Sequence, residues 1–245
     1  MGNLWKKIGK RLTGLFLALS VAVAAVYFGG AKAIENIMQT AVIKQPYDPP
    51  VIVLDAGHGG MDGGCSSANG VPEKGINLNI LLHLRELLKM YGYTVEVTRD
   101  TDRSIHDEGI EGIANQKSSD MDNRLALFNK YDHAICLSIH QNQFTDPSYS
   151  GAQMFYSNQV KGSSTLAQSI QDAFVAHLQP ENKREIKLCG KELFLCYFSE
   201  NPTVMVECGF LSNPEEAALL ETEEYQQKVA FTIFSGLQQY LATLV

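Results

Sequence analysis

Residues 51–64 read VIVLDAGHGGMDGG, and this stretch carries the pattern from which the fold is predicted. Residues 51–55 form a short, mainly β-branched apolar run, which is typical of a strand buried inside a sheet. The run leads into His58, which stands among Gly57, Gly59 and Gly60. Glycine permits a sharp turn and leaves space around the imidazole, so we expect a ligand to approach that ring closely.

Outward from this stretch, apolar strand patterns alternate with helical patterns. Strands are predicted at 51–55, 93–100, 133–139, 152–156, 192–198 and 203–207, and helices at 76–92, 121–130, 164–178 and 223–244. Residues 101–120 are polar and lack periodicity, which predicts a long surface loop. The alternation of strands and helices predicts an α/β sandwich with a largely parallel sheet.

The N-terminal part has a different character. Lys6, Lys7, Lys10 and Arg11 are followed by residues 12–31, which contain no charge. Twenty helical residues rise about 30 Å, enough to cross a bilayer. We therefore expect a single-pass protein of the cell membrane that contacts the lipid bilayer through residues 12–31. The basic residues would stay in the cytoplasm and the remainder would lie on the extracytoplasmic face. The alternative is a cleaved signal peptide and a secreted protein.

The rest of the chain divides into a tether and one domain. Residues 1–31 are predicted to be a basic tail with an anchor, residues 32–50 a proline-rich tether, and residues 51–245 the working domain. The net charge of −7 argues against nucleic-acid binding, which needs a basic surface. The five cysteines are odd in number and contain no CxxC pair, so they predict neither a zinc ribbon nor a defined disulfide pattern.

Three predicted strands end in residues suited to metal binding or acid–base chemistry: His58, His140 and Glu207. Ligands of such folds gather at the carboxyl ends of the strands. Histidine with a carboxylate is the usual ligand set of a catalytic zinc, which keeps one position open for water. The remaining four histidines do not follow apolar strands in this way and are interpreted as ordinary core or surface residues.

Several acidic residues compete for the remaining roles. Glu73 lies in the connection that starts at the end of the first strand, so it can return to the same edge; Asp55 and Asp62 are the alternatives. Asp55 is better placed to orient a ligand histidine. For Glu207 the alternative to catalysis is an ion pair with Arg184 or Arg124.

Four segments together resemble a known family: LDAGHGGMDGG, PEKGINL, LSIHQN and VECGFLSNPEEAALL. In this order they resemble the zinc-dependent N-acetylmuramoyl-L-alanine amidases of the type-3 amidase family. The resemblance implies a twisted, mostly parallel sheet of about six strands with helices on both faces. It implies one Zn²⁺ per chain, held by His58, Glu73 and His140, with Glu207 as the catalytic acid–base. Asn142 either binds a substrate carbonyl or caps a turn.

The activity implied is hydrolysis of the amide between the lactyl group of N-acetylmuramic acid and L-alanine in peptidoglycan. Within the family the chain is most similar to the spore-cortex amidases of endospore formers, which prepare muramic acid for lactam formation. A vegetative, cell-separating amidase is the first alternative. A non-catalytic peptidoglycan-binding regulator and a zinc peptidase are the others, and whether an activating protein partner is needed stays open.

Overall fold

The computed structural model describes residues 49–244, and a six-stranded sheet lies at their centre. The predicted anchor at 1–31, and the predicted tether except for its last two residues, lie outside the described residues. None of the helices in the described part of the chain combines the length and hydropathy that a membrane span requires.

The sheet has mixed but mainly parallel strands. They are β1 (Val51–Ala56), β2 (Val95–Val97), β3 (Ala134–Asn142), β4 (Gln153–Tyr156), β5 (Lys187–Leu188) and β6 (Thr203–Phe210). Their order across the sheet is β2-β1-β3-β6-β4-β5. β2, β1, β3 and β6 are parallel, whereas β4 runs antiparallel to β6. The carboxyl ends of β1, β3 and β6 therefore lie at one edge, together with the amino end of β4.

Helices cover both faces of this sheet. They are α1 (Glu73–Met90), α2 (Ile113–Phe128), α3 (Ser163–His177), α4 (Phe194–Phe198), α5 (Pro214–Leu220) and α6 (Glu223–Ala242). Alternate strand residues enter two separate apolar clusters: Ile52 and Leu54 join the larger, and Val53 joins the smaller. The larger cluster includes residues of α1, α3 and α6, and the smaller includes residues of α2 and α4. The predicted α/β class is confirmed.

The predicted loop at 101–120 is wrong for its last eight residues, because α2 begins at Ile113. The first half of this helix has no apolar face, so its sequence does not show a helical period. Polar contacts hold it instead: Asp120 accepts hydrogen bonds from the Ser104 hydroxyl and the Ile105 N–H, and the Ser119 hydroxyl donates to Asp107. Tertiary contacts rather than local propensity stabilise this segment.

The predicted strand at 192–198 is also wrong. Residues Phe194–Phe198 form the short helix α4, and the sixth strand is the two-residue β5, whose residues are both exposed. A brief apolar run fits a buried strand and a short helix equally well, so periodicity does not separate the two. In the helix, Leu195 reaches the smaller apolar cluster.

The contact between α3 and α6 depends on Gly236. A Cβ atom added there would lie 2.6 Å from the Ile170 Cα and 2.8 Å from the Ser169 carbonyl oxygen. Both are backbone atoms, so rotation of a side chain cannot relieve the clash. We predict that Gly236→Ala lowers the free energy of unfolding by about 1–3 kcal/mol, as overpacking does. Urea denaturation of the purified protein measures this.

Gly75→Ala is the matched control in α1. Nothing lies within 4 Å of a Cβ at position 75, and the residue is exposed. Alanine is the better helix former, so this change should leave the free energy of unfolding unaltered or raise it by up to about 1 kcal/mol. Equal losses in the two variants would contradict the close packing assigned to Gly236.

Candidate metal centre

Three side chains from distant parts of the chain meet at the carboxyl edge of the sheet. Glu73 Oε1 lies 3.1 Å from His58 Nε2 and 3.1 Å from His140 Nδ1. The two imidazole rings stand edge to face, with centroids 5.0 Å apart. One nitrogen of each histidine and one oxygen of Glu73 all lie within 4.8 Å of one another.

Each of the three comes from a different kind of element. His140 belongs to β3, and Glu73 is the first residue of α1. His58 follows β1 in the turn, with a φ of 63°, the one positive φ outside glycine among the described residues. An L-residue adopts that conformation rarely and at some energetic cost. The turn thereby points the His58 ring toward the end of β3.

Two glycines near His58 leave space for the side chains of the cluster itself, namely His140 and Glu73. A Cβ at Gly57 would lie 2.2 Å from the His140 ring. A Cβ at Gly64 would lie 2.4 Å from Glu73 Cγ, and the φ of 70° at this residue also favours glycine. We expected the glycines beside His58 to make room for an approaching ligand. At positions 57 and 64 the space is instead filled by His140 and Glu73.

Neighbouring polar groups orient two of the three side chains. Asp62 Oδ2 lies 3.0 Å from His58 Nδ1, so Nδ1 donates its proton to Asp62 and Nε2 is the ring nitrogen that faces the cluster. Glu73 Oε2 accepts from the backbone N–H of Cys65, and Oε1 accepts from the Asn77 amide. Asp62 thus supports a ligand histidine and stands outside the three-residue cluster.

The prediction that Asp55 orients a ligand histidine is wrong. Its carboxylate accepts hydrogen bonds from Thr98, Ser138 and Arg124, and it bonds neither histidine. Burial opposes ionisation of Asp55, but the Arg124 guanidinium, the hydrogen bonds from Ser138 and Thr98 and the nearby His140 together hold the pKa of the carboxyl below its usual value. The reason is that Asp55 pairs with the buried Arg124, which lies 69 residues away in the sequence and is not recognisable there as its partner.

Two buried arginines hold the backbone of the turn that carries His58. Arg124 donates to the carbonyl oxygens of Ala56 and His58, at 2.9 and 2.7 Å. Arg99 donates to those of Ala56 and Gly57, at 2.9 and 3.0 Å. Sequence reasoning missed this role. The available signal was Arg124 itself, an arginine within a helix that also carries core residues.

Glu207 lies beside the cluster on β6. It is directly opposite His140 in the parallel register, so the two side chains share one face of the sheet. Its Oε2 atom is buried and has no hydrogen-bond partner among the described residues. Burial raises the pKa of Glu207 to about 7, with His140 opposing this and Glu73 adding to it. Carboxyl groups with such a pKa suit proton transfer near neutral pH.

The alternative interpretation of Glu207, an ion pair with arginine, is not what the structure shows. Arg124 pairs instead with Asp55 and Asp120. Arg184 donates to the side chain of Gln153. Among the described residues no basic side chain forms a salt bridge with Glu207, and both histidines of the cluster contact Glu73 instead.

The three-residue cluster fits a divalent metal ion. Ligand atoms about 2.0–2.2 Å from a tetrahedral ion stand about 3.3–3.6 Å apart, close to the 3.1 Å that separates Glu73 Oε1 from a nitrogen of each histidine. Burial works against charge on both His58 and Glu73. Hydrogen bonds from His140 and His58 nonetheless lower the pKa of Glu73, and Glu73 and Asp62 raise the pKa of His58. The cluster therefore favours a positive charge at this point, which a bound metal ion would supply.

Asn142, the predicted substrate-binding residue, ends β3. A bulge between His140 and Asn142 interrupts the pairing with β6, and the Asn142 carbonyl accepts from the Leu211 N–H at 2.8 Å. Asn142 is half-buried and lies outside the metal cluster.

Known proteins share this architecture. The sequence profile of the N-acetylmuramoyl-L-alanine amidase family matches residues 52–239. The germination-specific N-acetylmuramoyl-L-alanine amidase of Bacillus subtilis is 34% identical over 195 residues, covering 80% of this chain and 81% of the relative.

Two solved structures agree with the sequence relatives. The CwlD amidase of Clostridioides difficile, solved in complex with the GerS lipoprotein, has a TM-score of 0.76 and 36% identity, and the match covers 80% of this chain and all of that one. An N-acetylmuramoyl-L-alanine amidase from Clostridium difficile 630 has a TM-score of 0.69 and 28% identity, over 80% and 98% of the two chains. The chain belongs to the N-acetylmuramoyl-L-alanine amidase family.

Proposed function

We propose that this amidase is a zinc hydrolase that cleaves the amide between the lactyl group of N-acetylmuramic acid and L-alanine in peptidoglycan. The observation that carries the proposal is the convergence of His58, Glu73 and His140 beside Glu207. Two imidazoles and one carboxylate are a frequent ligand set of catalytic zinc, and three protein ligands leave a position open for water. Family membership supports the substrate class.

The residues around the cluster divide the chemistry among them. Zinc in such a site supplies a Lewis acid and lowers the pKa of bound water to about 7. Glu207 in its ionised form accepts a proton as water attacks the lactyl carbonyl. It then donates that proton to the L-alanine nitrogen, so that the C–N bond breaks and a free amine leaves. Asp62 keeps the His58 ring in its ligating tautomer. Asn142 binds a substrate carbonyl at the rim.

We predict that Glu207→Gln abolishes proton transfer while leaving the metal in place. The variant should release free amine from peptidoglycan at least about 100-fold more slowly than the wild type. Its zinc content should stay at one ion per chain. Mass spectrometry of the digested wall identifies the bond that is cut, and plasma emission spectroscopy measures the zinc.

Two further variants separate the roles. His140→Ala should lose both zinc and activity, since it removes a ligand. Glu108→Gln removes the charge of an exposed glutamate and should change neither. Full activity of Glu207→Gln, or products cut between two amino acids of the stem, would contradict the mechanism and the bond assigned to it.

The substrate of this amidase in the cell is proposed to be the spore cortex. The likeness to a germination-specific amidase supports this role, in which stem removal prepares muramic acid for lactam formation. We predict that spores of a deletion strain contain no muramic lactam, as measured by muropeptide analysis. Normal lactam content together with chains of unseparated cells would instead indicate a vegetative amidase.

Because a similar amidase was solved with a lipoprotein, we infer that a protein partner binds this amidase as well.

Localisation follows from the sequence of the N-terminal part. We propose that residues 12–31, preceded by four basic residues, anchor the chain in the lipid bilayer and place residues 51–245 on the extracytoplasmic face, where peptidoglycan lies. Fractionation of cells should recover the full chain with membranes. A version lacking residues 1–31, exported through an unrelated cleaved signal peptide, should appear in the soluble fraction. If the protein expressed with its natural N-terminal part is recovered in the soluble fraction in a shortened form, the segment is cleaved and the anchor is contradicted.

A further inference from the structure

A second polar cleft lies at the same end of the sheet as Glu207. It encloses about 650 Å³ and is lined by parts of three segments, 148–151, 179–184 and 213–219. Two cations line it, Lys183 and Arg184. The exposed glutamates at its rim, Glu181 and Glu215, face water, where their charges are screened.

Arg184 connects this cleft with the metal centre. Gln153 is directly opposite Glu207 in the antiparallel register of β4 and β6, so both side chains lie on one face of the sheet. Arg184 Nη2 donates a hydrogen bond to Gln153 Oε1. Across the sheet, the order is therefore His140, Glu207, Gln153 and then Arg184, with neighbouring strands about 4.8 Å apart.

The position of the Arg184 guanidinium is well defined, but it forms no salt bridge among the described residues, and only the more distant charges of Glu216 and Glu207 favour it. It stacks over the Phe210 ring at 4.8 Å. Its Nε atom is buried and has no hydrogen-bond partner among the described residues. Glu216 lines the same cleft, but its two oxygens accept the N–H groups of Phe210 and Gly151 and it makes no direct contact with the guanidinium. A partly desolvated cation without a carboxylate is costly unless a ligand supplies one.

The proposed substrate has an anionic group close to the amide that is cleaved. The leaving nitrogen of L-alanine lies at Glu207 during cleavage. The free α-carboxylate belongs to the next stem residue, a γ-linked D-glutamate, and lies at most about 7 Å from that nitrogen in an extended peptide. Gln153 lies one strand spacing from Glu207, and the Arg184 guanidinium contacts the far side of Gln153.

We propose that Arg184 binds the free carboxylate of the second stem residue, and that it selects stems in which this group is not amidated. The inference rests on the proposed amidase function and adds a specificity-determining residue to it. A guanidinium binds a carboxylate through two parallel hydrogen bonds, whereas a carboxamide offers it one oxygen and no charge.

The test uses two synthetic muramoyl peptides that differ at one group. Both contain N-acetylmuramoyl-L-alanine followed by a γ-linked second residue and a C-terminally amidated lysine. One has D-glutamate at the second position and the other has D-isoglutamine. We expect the full-length protein to cleave the acidic peptide with a kcat/KM about 10-fold or more above that for the amidated one. Arg184→Gln should remove this preference by slowing cleavage of the acidic peptide alone.

Lys183→Gln is the matched control, because it removes the same charge from the adjacent exposed residue of the cleft. It should retain the preference. Arg184→Lys keeps the charge but loses the planar pair of donors and should show an intermediate ratio. Thermal denaturation of each variant establishes that it is folded.

Binding measured separately distinguishes this inference from the function on which it rests. Dissociation constants for both peptides are determined by calorimetry in Glu207→Gln protein, with and without Arg184→Gln. Tighter binding of the acidic peptide that requires Arg184, without any cleavage by the wild type, would uphold the inference and overturn the amidase proposal. Cleavage of both peptides with a ratio unchanged by Arg184→Gln would overturn the inference alone. Absence of binding to either peptide would overturn both.

Discussion

The site depends on one constraint: two imidazoles and a carboxylate must bring one ligand atom each within 4.8 Å of one another, although His58 and His140 are far apart in the chain. The parallel arrangement of β1 and β3 meets this constraint, because their carboxyl ends lie side by side at one edge of the sheet. The connection after β1 then returns Glu73 to the same edge at the start of α1. Close contacts at Gly57 and Gly64 show how little space is left over.

A buried polar network holds the backbone of residues 56–58 and so maintains this geometry. Arg99 and Arg124 both bond carbonyl oxygens of the turn that carries His58, and Asp55 compensates the charge of Arg124. A buried ion pair adds little net stability, since desolvation offsets most of the attraction. Its contribution here is positional. The guanidinium groups satisfy backbone carbonyls in a turn whose His58 has an uncommon φ, and these hydrogen bonds help to offset the cost of that conformation.

Glu207 shows the opposite use of burial. One of its oxygens is desolvated without a partner, which raises its pKa toward neutrality, whereas Asp55 is desolvated with a guanidinium and keeps a low pKa. Two buried carboxylates thus have different protonation behaviour because Asp55 has a guanidinium and two hydroxyl groups as direct partners, whereas the buried oxygen of Glu207 has none. The same reasoning connects Arg184 to the substrate: a desolvated cation without a carboxylate partner is available for an anionic ligand.

The sequence by itself determined the alternation of strands and helices, the α/β class and the family, because apolar periodicity and the segments around His58, Glu73, His140 and Glu207 are local patterns. It did not reveal α2 at 113–120 or α4, since polar tertiary contacts and a short ambiguous run decide those segments. Only the tertiary structure showed that Asp62 rather than Asp55 supports His58. It also decided that Arg124 holds the turn and that Arg184 has no carboxylate partner. Each of these depends on which buried charges meet across distant segments, and no local pattern records such a meeting.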